Sequence, residues 1–334
     1  MPEYSENRIA LLPLLVCILL AAAFLSLGLG KFPLSPAAVL NVLFNPADAP
    51  PMHYQVIWTI RIPRILSALL AGALLGLSGA ALQGVFHNPL VDPHVIGVSS
   101  GAAAGGTFAI LFGAPYLLMM TSAFCAGLLA LFLVYALARV FKQSSNLILV
   151  LAGVILSGFF SALVSLMQYL ADTETKLPSI VFWLMGSFAT ADWNKLLLFA
   201  IPGLISAFVI LRLRWRINVL SMGDKDARTL GIDVKFAKWL ILVMCAMSVA
   251  AQVAVSGSIG WIGLVIPHFA RLLTGVDHRK LLPASFALGG TFMILVDDIA
   301  RMLTAAEIPL GIITALFGAP LFTLLLIRHA RNNL

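Results

Sequence analysis

Between Pro93 and Ala138 the chain carries no Asp, Glu, Lys or Arg, and further uncharged runs cover 9–30, 65–91, 143–171, 196–211, 239–270, 281–296 and 308–327. An α-helix needs roughly 20 apolar residues to cross hydrocarbon, so these runs confine the chain to a bilayer, and the longest must hold two spans or a re-entrant piece. Charged residues make up 10% of the chain and hydrophobic ones 61%, against roughly 25% charged in soluble domains, which excludes a soluble globular fold. Backbone facing lipid must satisfy its own hydrogen bonds, which leaves helices or a closed barrel. No ten-residue alternation of barrel strands is present, so the class is an all-α polytopic membrane protein. The spacing predicts a single transmembrane domain over 1–334 with about ten helices, near 9–30, 57–83, 94–112, 117–139, 145–170, 193–213, 236–256, 259–274, 281–303 and 307–328. The first run reads as a span, because no convincing cleavage site closes it.

Charge sets the orientation. With an inside N-terminus and alternating spans, only Lys31, Arg61, Arg64, Lys176, Lys195 and Arg301 of the 21 lysines and arginines fall outside. The rest, including Arg8, Arg139, Lys142, Arg271, Arg279, Lys280, Arg328, Arg331 and the cluster between Arg212 and Lys238, lie inside, which predicts both termini in the cytoplasm. The net charge of +7 is therefore an orientation signal and does not point to nucleic acid. Two outside connections, Lys31 to Val56 and Ala171 to Asp192, are long enough for short surface helices, and the inside loop 212–238 suits one or two more.

Several motifs carry a chemical and a structural reading. Arg61-Ile-Pro-Arg64 puts two fixed cations at the mouth of a long apolar helix, where they would dock an acidic partner, bind an anion or orient the helix. Asp297 and Asp298 precede Arg301 by four and three residues, the spacing of an intrahelical ion pair near the outer interface, and Arg301 would also stand as a third outward cation. Gly97-Val-Ser-Ser-Gly101 matches a serine-nucleophile pattern, with His94 or His268 as base. That chemistry needs a strand-turn-helix setting, so a small-residue turn for close packing is the better reading. The prolines in His87-Asn-Pro-Leu-Val-Asp-Pro-His94 force a break between the second and third spans. No third ligand accompanies His87 and His94, and Cys17, Cys125 and Cys245 follow no metal spacing, so no metal site is expected. Pairs such as Gly72 with Gly76 and Gly101 with Gly105 predict close helix contact. No phosphate-cradling Gly-rich loop occurs, so energy for active transport would come from another subunit or an ion gradient.

Together with Trp183-Leu-Met-Gly-Ser187, Gly257-Ser-Ile-Gly-Trp-Ile-Gly263, Glu307-Ile-Pro-Leu-Gly311 and Gly318-Ala-Pro320, these motifs make the chain resemble the FecCD family, the permeases of binding-protein-dependent ABC importers for iron-siderophores, haem and cobalamin. The resemblance implies a homodimer, two cytoplasmic ATPase subunits, one periplasmic binding protein and a bacterial inner-membrane location. It implies that Arg61, Arg64 and Arg301 face glutamates of the binding protein. Within the loop 212–238 it implies an ATPase-coupling segment from Met222 to Gly231, bounded by Gly223 and Gly231, with Asp224, Asp226, Ala227 and Arg228 on its contacting surface. ATP and Mg would be used by the partner, and no cofactor is expected on this chain.

The expected activity is import of a metal chelate, an iron-siderophore or haem first, with cobalamin or molybdate/tungstate as alternatives. Ser157, Ser161 and Ser165 would supply weak contacts along the path, since a conduit must release what it accepts. A stand-alone secondary transporter is the rival of another class. It would need a mid-membrane carboxylate, and only Asp297 and Asp298 qualify, both near the outer face.

Overall fold

The structure, a computed structural model, describes residues 11–140 and 146–332. Arg8 and Lys142 lie outside the described residues, and the side chains of Arg328 and Arg331 are likewise not described. Every expected span contains a helix: α1 Leu11–Gly28, α3 Pro51–Phe86, α4 Val98–Leu111, α5 Tyr116–Val140, α6 Asn146–Leu170, α8 Trp193–Arg212, α11 Val234–Ser256, α12 Ile262–Thr274, α13 His278–Met302 and α14 Leu310–Asn332. The two outer connections fold into α2 Pro36–Phe44 and α7 Lys176–Met185, and the inner loop into α9 Arg214–Leu220 and α10 Asp224–Thr229.

Seven of the described helices, α1, α3, α5, α6, α8, α11 and α13, are long and apolar enough to cross a bilayer. Two expected spans are shorter than anticipated. At 1.5 Å per residue the 14 residues of α4 and the 13 of α12 reach only about 21 and 20 Å. Both follow irregular backbone: a tight turn over Pro93–Ile96 ending at Gly97 (φ 79°), and the segment from Gly257 to Trp261 (φ 73°). Such backbone is tolerated at membrane depth where protein surrounds it, and Gly97, Ile259 and Ile262 are buried.

The core forms around α3. Of its most apolar stretch 89% is buried, against 17% for α1 and for α6, so α3 is the central post and the other two helices face outward. Small residues make this possible. A Cβ at Gly72 would collide with the Gly289 carbonyl on α13, one at Gly289 with the Gly72 carbonyl, and one at Gly76 would stand 2.5 Å from the Ser285 carbonyl. On the next turn Gly79 meets the Gly263 carbonyl of α12 in the same way. In lipid no hydrophobic force draws apolar helices together, so this close backbone approach and its dispersion contacts replace it. Gly101 and Gly105 likewise admit α5, through Ala126, Ala130 and Ser122.

Local signals fix the ends. Asp192, Asp233 and Asp277 cap α8, α11 and α13, accepting hydrogen bonds from the backbone N–H of Lys195 (2.9 Å), Phe236 (3.1 Å) and Arg279 (3.0 Å). His87, in the left-handed region at φ 53°, closes α3 before Pro89, so the break expected from the prolines begins there.

A Gly72→Val variant should lose membrane-inserted yield and melt earlier, overpacking costing about 1–3 kcal/mol. Gly158, with nothing within 4 Å of a Cβ, should tolerate Ala without loss. Thermal unfolding in detergent checks the pair, and equal stability of G72V and wild type would contradict the close-approach argument.

Candidate functional site

At the outer end of α3 a π-helical turn over Gln55–Arg61 delivers Arg61, and regular α-helix resumes in time to deliver Arg64. The two guanidinium groups diverge. Arg61 donates to the carbonyls of Leu27 (2.6 Å) and Phe32 (2.5 Å), pinning the end of α1. Arg64 forms a double fork, with Nε and Nη2 at 2.8 Å from the Asp297 carboxylate and Nη1 and Nη2 at 2.8 and 2.9 Å from Glu307. Arg301 pairs with Asp298 and donates to the Ser26 carbonyl at 2.7 Å, while the Ser26 hydroxyl donates to Asp298 at 2.6 Å.

This arrangement corrects the expectation of three outward-facing cations. Arg61, Arg64 and Arg301 are only 4%, 7% and 6% exposed in the isolated subunit, their donors turned inward to internal acceptors. The reason is local charge: Asp297, Asp298 and Glu307 give each buried cation or its neighbour an internal counter-ion, and an unpaired one would be costly. The spacing argument also assigned both aspartates to Arg301, whereas the structure divides them, Asp298 to Arg301 and Asp297 to Arg64. Partial burial works to raise the Glu307 carboxyl, but hydrogen bonds and charge from Arg64 together hold it below the usual carboxylate range. Its contribution to stability is therefore present above the unfolded value of about 4.3 and is lost as pH falls through the lowered folded value.

At the inner end, Gly223 (φ 132°) and Gly231 (φ 77°) bound α10 as expected. Met222, Asp226, Arg228 and Gly231 are exposed, but Ala227 is fully buried against the bundle and is not part of the outer face. Asp224 also turns inward, accepting an ion pair from Lys238 at 2.7 Å. Lys238 donates in addition to the Asn146 side chain (3.0 Å), and the His87 ring lies 2.5 Å from the Leu220 carbonyl. The turn after α3 and the start of α11 thus hold the loop from both sides.

Between these ends a cavity of about 310 Å³ is lined by Ser99, Ser100, Ser161, Ser165, Ser258 and His94. Ser161 and Ser165 belong to this wall, whereas Ser157 is turned toward the Gly97 bend. His94 Nδ1 is 2.5 Å from Asp92 Oδ1, yet neither His94 Nε2 nor the Ser99 hydroxyl has a hydrogen-bond partner, so the serine-hydrolase relay is not assembled. Among the described residues no cluster of three His, Cys, Asp or Glu is placed to hold a metal.

A model of the FecCD transport family matches residues 18–328. The chain belongs to that family. A relative, the molybdate import system permease protein MolB of Haemophilus influenzae, is 50% identical over 323 residues, 96% of both chains. The hemin transport system permease protein HmuU of Yersinia pestis is 37% identical over 331 residues, 97% of both. A solved structure described as an inward-facing metal-chelate type ABC transporter superimposes with a TM-score of 0.88 at 50% identity, covering 96% of this chain and 99% of that one. The protein is thus a multi-pass FecCD permease of the metal-chelate ABC importer type.

For this FecCD permease, sequence reasoning missed Ser26, Glu307 as the second counter-ion of Arg64, and the Lys238–Asn146 tie. Glu307 had a signal, since it interrupts two apolar stretches; Ser26, inside an apolar run, had none. Replacing Arg64 by Leu should destabilise the protein by about 3–5 kcal/mol by stranding Asp297, and Arg64→Leu with Asp297→Leu should recover much of that loss. Denaturant unfolding decides, and an unchanged midpoint for R64L would overturn the buried-cluster account.

Proposed function

We propose that this permease is the membrane subunit of a binding-protein-dependent importer of the bacterial inner membrane. It would span ten times with both termini inside and act as a homodimer with two ATPase subunits and a periplasmic binding protein. Molybdate or tungstate is its cargo class. The observation that carries the cargo is 50% identity across 96% of both chains to a permease named for molybdate import. The hydroxyl-lined cavity supports it, because serine O–H donors suit the oxygens of a tetrahedral oxyanion, and a polar site of modest volume holds such cargo without trapping it. Iron chelate or haem, the cargo expected first from sequence, is the second reading, favoured by the 37% identity to a hemin permease.

In this reading ATP and Mg act on the partner, and motion enters through α10. Met222, Asp226, Arg228 and Gly231 form the face offered to the ATPase, Gly223 is the bend, Ala227 is the buried anchor, and Asp224 latches the helix to Lys238. Arg61, Arg64 and Arg301 serve docking indirectly, by holding the outer loops on which the binding protein lands. Lys31, which donates to the Ala305 carbonyl at 2.5 Å, marks that surface.

Reconstituted with its ATPase, the permease should show ATP hydrolysis stimulated by binding protein loaded with molybdate or tungstate. Stimulation by ferric siderophore or haem alone would establish the second reading, and no ATPase association would return the secondary transporter. Asp226→Ala with Arg228→Ala should cut stimulated hydrolysis and uptake about tenfold, the effect of losing about 1.4 kcal/mol of coupling, while binding-protein docking stays intact. Loss of folding in that variant would make α10 structural.

A further inference from the structure

One cavity lies beside the α10 latch, on the flank where α10 meets the spanning helices. Where α5 ends and α6 and α11 begin, a cleft of about 300 Å³ is ringed by Arg139, Arg228, Lys235 and Lys238, with Asp224 as its one carboxylate. Lys238 satisfies that carboxylate at 2.7 Å, which leaves Arg139, Arg228 and Lys235 without a carboxylate in ion-pair range among the described residues. Arg139 is stacked over Tyr135 at 4.8 Å, which steadies it without neutralising it. All three are exposed, and together they give one concave site a positive field that favours an anion.

The other wall identifies which anion. Tyr135, Leu149, Trp239 and Leu242 line this cleft and also an adjoining shallow, almost wholly apolar crevice of about 10 Å³ beside Phe86 and Phe132. Phe132 is 54% exposed and Trp239 37% exposed, so the crevice opens on the outside of the subunit. Tyr and Trp at the basic end of spanning helices mark headgroup depth. A free phosphate has no use for the exposed apolar rings beside the cleft, whereas a phospholipid meets both. We propose that this cleft is a binding site for an anionic phospholipid, with the phosphate held among Arg139, Arg228 and Lys235 and an acyl chain lying against the exposed rings of Phe132 and Trp239. Because Arg228 is on α10 and Arg139 and Lys235 are on spanning helices, the seated headgroup ties α10 to the bundle. The site stands whether or not α10 meets an ATPase.

The test uses the full chain in detergent and native mass spectrometry with added phosphatidylglycerol, cardiolipin, phosphatidylcholine or inorganic phosphate. Phosphatidylglycerol and cardiolipin should be retained at least about tenfold more tightly than phosphatidylcholine, and free phosphate should not compete at equal concentration. Arg139→Gln and Lys235→Gln should each weaken retention about fivefold, the share of one surface cation, while Lys225→Gln, exposed outside the cleft, should not. Phe132→Ser, which removes exposed apolar surface without changing charge, should reduce retention of the long-chain lipids. Equal retention of anionic and neutral lipid by the wild type would overturn the proposal. So would free phosphate binding as well as lipid, or a charge variant that loses ATPase affinity and keeps its lipid.

Discussion

The contact between α3 and α13 depends on Gly72 and Gly289, each of which lets the other's carbonyl approach where any side chain would block it. The same two helices are joined at their outer end by the Arg64–Asp297 fork, so the pair is closed twice, once by backbone proximity and once by charge. Almost everything else leans on it. α12 enters through Gly79 and Gly263, α1 rests on α13 through Leu19, Ala22 and Ile294, and α8 meets α3 where Gly203 receives Leu74. A packed interior of this kind has discrete arrangements and does not deform continuously, so motion belongs at its margins.

Those margins are the elements with few internal ties. α10 is six residues long, bounded by two glycines with positive φ, anchored by one buried alanine and latched by one ion pair. Ser161 and Ser165 on α6 line their cavity from a helix with little of its surface buried. A FecCD permease built in this way separates a tightly packed frame from loosely tied margins.

The existence of each helix was legible because uncharged length and proline breaks act locally, and the glycine spacings announced the close contacts. The shortness of α4 and α12 was not legible. Residues 94–112 and 259–274 are apolar throughout, and hydropathy does not record that Gly97 and Trp261 take left-handed backbone. The arginines show the same limit. Charge position in the chain suggested an exposed rim, but burial depends on the counter-ions that folding supplies from far along the chain, Asp297 and Glu307 for Arg64. The resemblance puts Ala227 on the contacting surface of α10, and a six-residue helix has too little periodicity for the sequence to reveal that this side chain is buried.

The central claim is that the α3–α13 pair stays fixed while the α10 segment responds to the ATPase. Amide hydrogen exchange on the reconstituted importer, compared between nucleotide-free and ATP-trapped states, tests it directly because exchange reports local opening. Peptides from 62–86 and 278–302 should keep the same strong protection in both states while peptides from 214–231 change. Exchange in 62–86 that shifts as much as that in 214–231 would contradict the account.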